Sequence, residues 1–160
     1  MATPGTQGSP AAAPTSGRAP LQHAAVAVGG LFLALGVLGF IPGVTTDYDA
    51  LAFAGHHSGA ALFGLFAVSG LHNAIHLIFG VLGVALSGTF NGARGFLIAG
   101  AAGYGLLAGY GFVVARDSPA NVIPVDNAGN WLHLTLALGM LILVLIWGRT
   151  RGVAHDRRHT

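Results

Sequence analysis

The run Gly70–Leu86, GLHNAIHLIFGVLGVAL, decides the fold. It is apolar apart from His72, Asn73 and His76, and it carries no Asp, Glu, Lys or Arg. A second run, NWLHLTLALGMLILVLIW over 130–147, repeats its signature: Asn73-Ala74-Ile75-His76-Leu77 returns as Asn130-Trp131-Leu132-His133-Leu134. Histidine and asparagine are costly in hydrocarbon unless they find partners, so polar residues inside a span are functional candidates by default. The same pair at the head of two apolar runs points to one site built from two related halves.

Working outward, charge is almost confined to the gaps between long apolar blocks. Of 160 residues, 53% are hydrophobic and 8% charged, with a mean hydropathy of +0.69. A soluble domain carries about 25% charged residues. Charges are absent from Ala19–Thr46, Ala50–Ala93, Gly95–Ala115 and Asn127–Gly148. A span needs roughly 20 mainly apolar residues, so these blocks read as transmembrane helices.

Helix 1 is expected from about Gln22 to Phe40, closed by Ile41-Pro42-Gly43. The block from His56 to Ser87 is too long for one upright span. It divides into a short interfacial or re-entrant helix, Gly59–Val68, and helix 2 over Gly70–Leu86. Ser87–Gly92 reads as a turn. Helix 3 follows from about Gly95 to Ala115 and helix 4 from about Asn130 to Trp147. The expected fold is therefore all-α: a four-transmembrane-helix bundle with a short interfacial helix before helix 2. Gly39-Phe40-Ile41 and Gly111-Phe112-Val113 echo each other ahead of the two Asn-x-x-His-Leu motifs, so the helices form two hairpins in a parallel pseudo-repeat. Ala101, Gly105 and Gly109, at four-residue spacing, form the expected close-packing face of helix 3.

Residues 1–20, rich in Ala, Pro, Gly, Ser and Thr, read as a disordered cytoplasmic tail; 21–148 form the membrane domain, and 149–160 a basic cytoplasmic tail. In a four-span chain Arg18, Arg94 and the four tail arginines share one side, whereas Arg116 lies opposite with Asp47, Asp49, Asp117 and Asp126. The positive-inside rule then places both termini in the cytoplasm of a multi-pass protein of the cell membrane. The same short Arg-rich tail explains the basic pI, so nucleic acid is not an expected partner; the lipid bilayer is, and with it a larger membrane complex or self-association.

His72 and His76, one turn apart, share a helix face, with Asn73 beside them. Asn130 and His133 repeat the spacing on helix 4. The expected role is an interhelical polar seam in the outer leaflet, Asn73 and Asn130 bonding the imidazoles across helices, in a structural or accessory subunit. The alternative is a haem- or metal-binding module using His72, His76 and His133, because imidazole ligates haem iron, Zn and Cu. No cofactor is called for by a motif. His56 and His57 in the outer loop are secondary candidates, as is Asp126, which could orient an imidazole. Glu is absent, and every Asp lies in a loop or tail; with no nucleophile motif, no enzymatic activity is expected.

The stretches Leu62-Phe63-Gly64-Leu65-Phe66-Ala67-Val68-Ser69 and Leu71-His72-Asn73-Ala74-Ile75-His76-Leu77-Ile78-Phe79-Gly80, and Asn121-Val122-Ile123-Pro124-Val125-Asp126 leading into Asn130-Trp131-Leu132-His133-Leu134, resemble the bacterial membrane proteins grouped as domain of unknown function 4383. The resemblance covers roughly Ala24 to Trp147. It implies a four-helix integral membrane protein and maps the family's polar motif onto His72, Asn73, His76, Asn130 and His133; it implies no activity.

Overall fold

A computed structural model describes residues 17–149, so the two expected tails lie almost wholly outside the described residues. The elements run α1 (Pro20–Leu38), β1 (Thr45–Thr46), a 3-10 turn (Tyr48–Ala50), β2 (Ala61–Leu62), β3 (Phe66–Ala67), α2 (Gly70–Leu86), α3 (Phe90–Val113) and α4 (Asn127–Trp147). α1, α3 and α4 are each long and apolar enough to cross a membrane, and α2 is a shorter apolar helix.

Local chemistry sets the helix starts. Ser69, Thr89 and Asp126 are N-caps whose side chains accept from the backbone N–H of His72, Gly92 and Gly129. The caps move two boundaries. Thr89 starts α3 five residues before the expected Gly95, and Asp126 starts α4 three residues before Asn130. Pro20, at the first helical position, starts α1.

The main correction concerns 59–68, where the expected interfacial helix is absent. The segment forms two strands of an antiparallel sheet ordered β1-β2-β3, with Thr45 opposite Leu62 and Leu62 opposite Phe66. Ten residues make a marginal helix on their own, and here the backbone finds better partners. Phe63 N–H donates to Val44 O (2.9 Å), Val68 N–H to Ala60 O (3.0 Å), and Ser58 Oγ to Val68 O (2.6 Å). The reversal passes through positive φ at Phe63 and Gly64, and glycine supports such a turn. Ala60, Leu62 and Val68 pack this sheet onto Leu35 and Leu38 at the end of α1.

α1 packs chiefly on α2, and α3 on α4. The main apolar core joins all four helices through residues including Leu21, Phe32, Phe79, Phe96, Tyr104 and Met140. Close approach falls at other glycines than expected. A Cβ on Gly80 would stand 2.6 Å from the Leu33 backbone nitrogen, and one on Gly29 would stand 2.9 Å from Gly80 O. On α3 the tight positions include Gly100, where a Cβ would stand 2.6 Å from Met140 Sδ, and Gly111, where it would overlap the Asn130 amide. Within the chain the stripe Ala101, Gly105, Gly109 is not a point of close helix approach: a Cβ on Gly105 would make ordinary contact with Ala137, and one on Gly109 would meet nothing within 4 Å.

A few polar side chains lie inside while many apolar ones face outward. His72, Asn73, His76, Asn130 and His133 are buried, while Ile78, Val81, Leu141, Ile142, Leu145 and Ile146 are exposed. An apolar exterior this extensive requires lipid or another apolar covering.

Candidate metal centre

Three rings converge at the end of the bundle that the sheet covers. His72 and His76 project from the first two turns of α2, and His133 from the second turn of α4. His72 lies 4.5 Å from His76 and 5.5 Å from His133, measured between ring centroids. One nitrogen from each ring can be chosen so that all three lie within 4.8 Å of one another. A tetrahedral Zn site with Zn–N of about 2.0–2.1 Å needs these nitrogens roughly 3.3 Å apart, so closure asks for ring movements on the order of an ångström.

The cluster sits in an aromatic frame. Phe32 stacks on His76 at 5.5 Å, Tyr104 lies parallel to His76 at 6.2 Å, and Tyr104 meets His133 edge-on at 5.6 Å. A cavity of about 20 Å³ borders all three histidines and is closed by Leu62, Phe66 and Val68 from the sheet and Leu132 from α4. That is room for a single small species, since one water needs roughly 10–15 Å³.

The hydrogen bonds correct the expected seam. Neither asparagine bonds an imidazole. Asn73 Nδ2 donates to Gly39 O, and Asn130 Nδ2 to Gly111 O, both at 2.7 Å. Each asparagine therefore clasps its helix to the preceding one, α2 to the end of α1 and α4 to α3. The acceptors are the two glycines of the sequence echo, and both must lack a side chain, because a Cβ on either would overlap the Asn amide. That signal was visible in the sequence as repetition, but its role was not.

The imidazoles are left without such partners. His72 Nδ1 and Nε2, His76 Nε2 and His133 Nδ1 are buried and have no hydrogen-bond partner among the described residues. An unmade bond costs about 1–3 kcal/mol per buried polar group, against a usual total stability of about 5–15 kcal/mol. Four such nitrogens in one cluster are the atoms that a bound ion or a buried water would satisfy.

The secondary candidates stand apart. His56 and His57 pair with each other at 3.9 Å in the connection between α1 and α2, outside the three-histidine cluster. Asp126 bonds no imidazole. One carboxylate oxygen accepts from Gly129 N–H at the start of α4 and the other from Ala67 N–H in β3, tying the sheet to the helix that carries His133. Gly55 N–H donates to Val122 O (2.7 Å), a second tie between the α1–α2 and α3–α4 connections. Sequence reasoning missed Phe32 and Tyr104, which read as ordinary span aromatics.

Apolar spans around a buried polar cluster define a helical membrane protein. The model of a domain of unknown function, DUF4383, matches residues 22–146, and the chain belongs to that family. No curated protein and no solved structure is significantly similar to it.

Proposed function

We propose that this protein binds one first-row transition-metal ion in the membrane, with His72, His76 and His133 as its ligands. The observation that carries the reading is the set of unpartnered nitrogens, at least one on each of three rings that meet around a cavity of single-ion size. Three neutral imidazoles suit Zn and Cu, and three protein ligands leave a fourth position open. The cavity favours a bare ion over haem, whose macrocycle would have to displace the sheet residues Leu62, Phe66 and Val68. The proposed role is binding rather than catalysis.

The fold completes the proposal. α2 serves as a fourth, short span, and the two Asn–Gly clasps support a reading of α1–α2 and α3–α4 as related hairpins. Arg distribution supports cytoplasmic termini, which puts the metal centre toward the outer face of the cell membrane. A structural or accessory role in a larger complex is the second reading; the clasps favour it, because they hold the hairpins shut without using the histidines.

The test is metal analysis of protein purified in mild detergent, with and without added Zn(II) or Co(II). One ion per chain, lost in His76→Ala and His133→Ala, supports the centre. A folded protein that takes up neither ion overturns it.

A further inference from the structure

The end of the bundle remote from the histidines carries a larger cavity. α1 and α3 begin at this end and α4 finishes there. Along α4, Trp147 is roughly 20 Å from His133 at 1.5 Å per residue. The cavity measures about 750 Å³, inside the range of roughly 300–1,000 Å³ that holds a whole small molecule. Arg18 lines it from just ahead of α1 and Arg149 from just past α4, while Phe90, Ile146 and Trp147 form its apolar side.

Charge sets the chemistry of the polar side. Arg94 is exposed one turn into α3, at the same end. Every Asp among the described residues, Asp47, Asp49, Asp117 and Asp126, lies in the α1–α2 or α3–α4 connection, at the other end. Among the described residues no carboxylate is therefore at hand to neutralise Arg18 and Arg149. The guanidinium fork matches the oxygens of a phosphate.

Exposure sets the rest. Ile146 is 61% exposed and Trp147 42%, so the cavity opens onto the apolar, lipid-facing surface. Tryptophan at the end of a span sits at head-group level. A free phosphate would satisfy the arginines and leave the apolar side wet, whereas an acyl chain would do the reverse. A phospholipid does both. A zwitterionic head group would bring its own cation beside two arginines with no carboxylate to receive it, which favours a head group of net negative charge.

We propose that this cavity binds an anionic phospholipid, with Arg18 and Arg149 holding the phosphate and Phe90, Ile146 and Trp147 receiving the start of the chains. The site shares no residue with the metal centre, and neither depends on the other.

Full-length protein in bilayers of phosphatidylcholine and phosphatidylglycerol tests it, with each lipid in turn carrying brominated chains that quench tryptophan on contact. The chain has two tryptophans, so Trp131→Phe leaves Trp147 as the reporter; Trp131 is 60% exposed, and the exchange should be tolerated. The expected result is a preference for phosphatidylglycerol at Trp147 of at least about fivefold, the effect of one arginine near an anionic surface. It should fall to near one when Arg18→Gln and Arg149→Gln are combined, and persist in Arg94→Gln, which changes the same end outside the cavity. Equal quenching by the two lipids overturns the proposal. An equal loss in Arg94→Gln reduces the preference to general surface charge and also overturns it. If inorganic phosphate abolishes the preference where sodium chloride of the same ionic strength does not, the cavity is a site for soluble phosphate and the lipid assignment falls.

Discussion

Replacing Gly111 by alanine separates the clasp from generic helix packing. A Cβ there would overlap the Asn130 amide, which is 2% exposed. Asn130 would have to swing away and give up its 2.7 Å bond to Gly111 O. Interhelical hydrogen bonds in membranes average about 0.6 kcal/mol and reach about 1.7, and the stranded amide raises the loss to about 1–3 kcal/mol. Against this, Gly→Ala within a helix gains about 0.5–1 kcal/mol. The net expectation for Gly111→Ala is a loss of about 1–2 kcal/mol. Gly109→Ala, on the same helix, meets nothing within 4 Å and keeps only the gain. Two identical substitutions two residues apart should therefore differ by about 2 kcal/mol. Unfolding titrations in mixed micelles with SDS measure both. Asn130→Ala removes bond and obstacle together, so Gly111→Ala in that background should keep only the gain, a coupling of about 2 kcal/mol. Equal stabilities for the Gly109 and Gly111 variants, or additive costs in the double variant, would refute the clasp.

The α1–α2 interface gives a parallel expectation: Gly80→Ala drives a Cβ into the Leu33 backbone and should cost about 1–3 kcal/mol, read by the same titration. Asp126→Ala removes the α4 cap and the tie to Ala67 N–H and should cost about 1–2 kcal/mol; unchanged stability would mean the sheet is not anchored through this carboxylate. Metal occupancy should fall on acidification, because protons compete with the ion for imidazole and all three rings must be neutral to ligate; cobalt absorbance followed against pH checks the sign, and occupancy rising as pH falls would exclude histidine ligation.

The helices were legible because apolar blocks of span length, broken by charged or turn-rich gaps, leave few alternatives. Their starts were less so: Thr89 and Asp126 lie in segments that look like loop, and only the cap bonds show that the helix begins there. The sheet was hidden because 59–68 is apolar and glycine-rich, and its partner, Thr45–Thr46, is a two-residue strand with no periodicity to find. The candidate site was legible as residues but not as a network. Repetition singled out Asn73, His76, Asn130 and His133, and helical spacing added His72. Which group each would bond depended on the offset between neighbouring helices. Gly39 and Gly111 stand where the asparagines reach a backbone carbonyl, so each amide ties its helix to the preceding one and the imidazole nitrogens are left without partners among the described residues. The glycine stripe is not used inside the chain for a similar reason: spacing identifies a face, whereas the neighbouring helix decides which face is used.

The most direct measurement is the visible spectrum and metal content of one sample of Co(II)-loaded protein, compared with His72→Ala, His76→Ala and His133→Ala. One cobalt per chain with the intense visible bands of a low-coordinate nitrogen site, abolished or strongly altered in each variant, is the result that a three-histidine centre predicts. A spectrum of hydrated cobalt, or full metal content in all three variants, would contradict it.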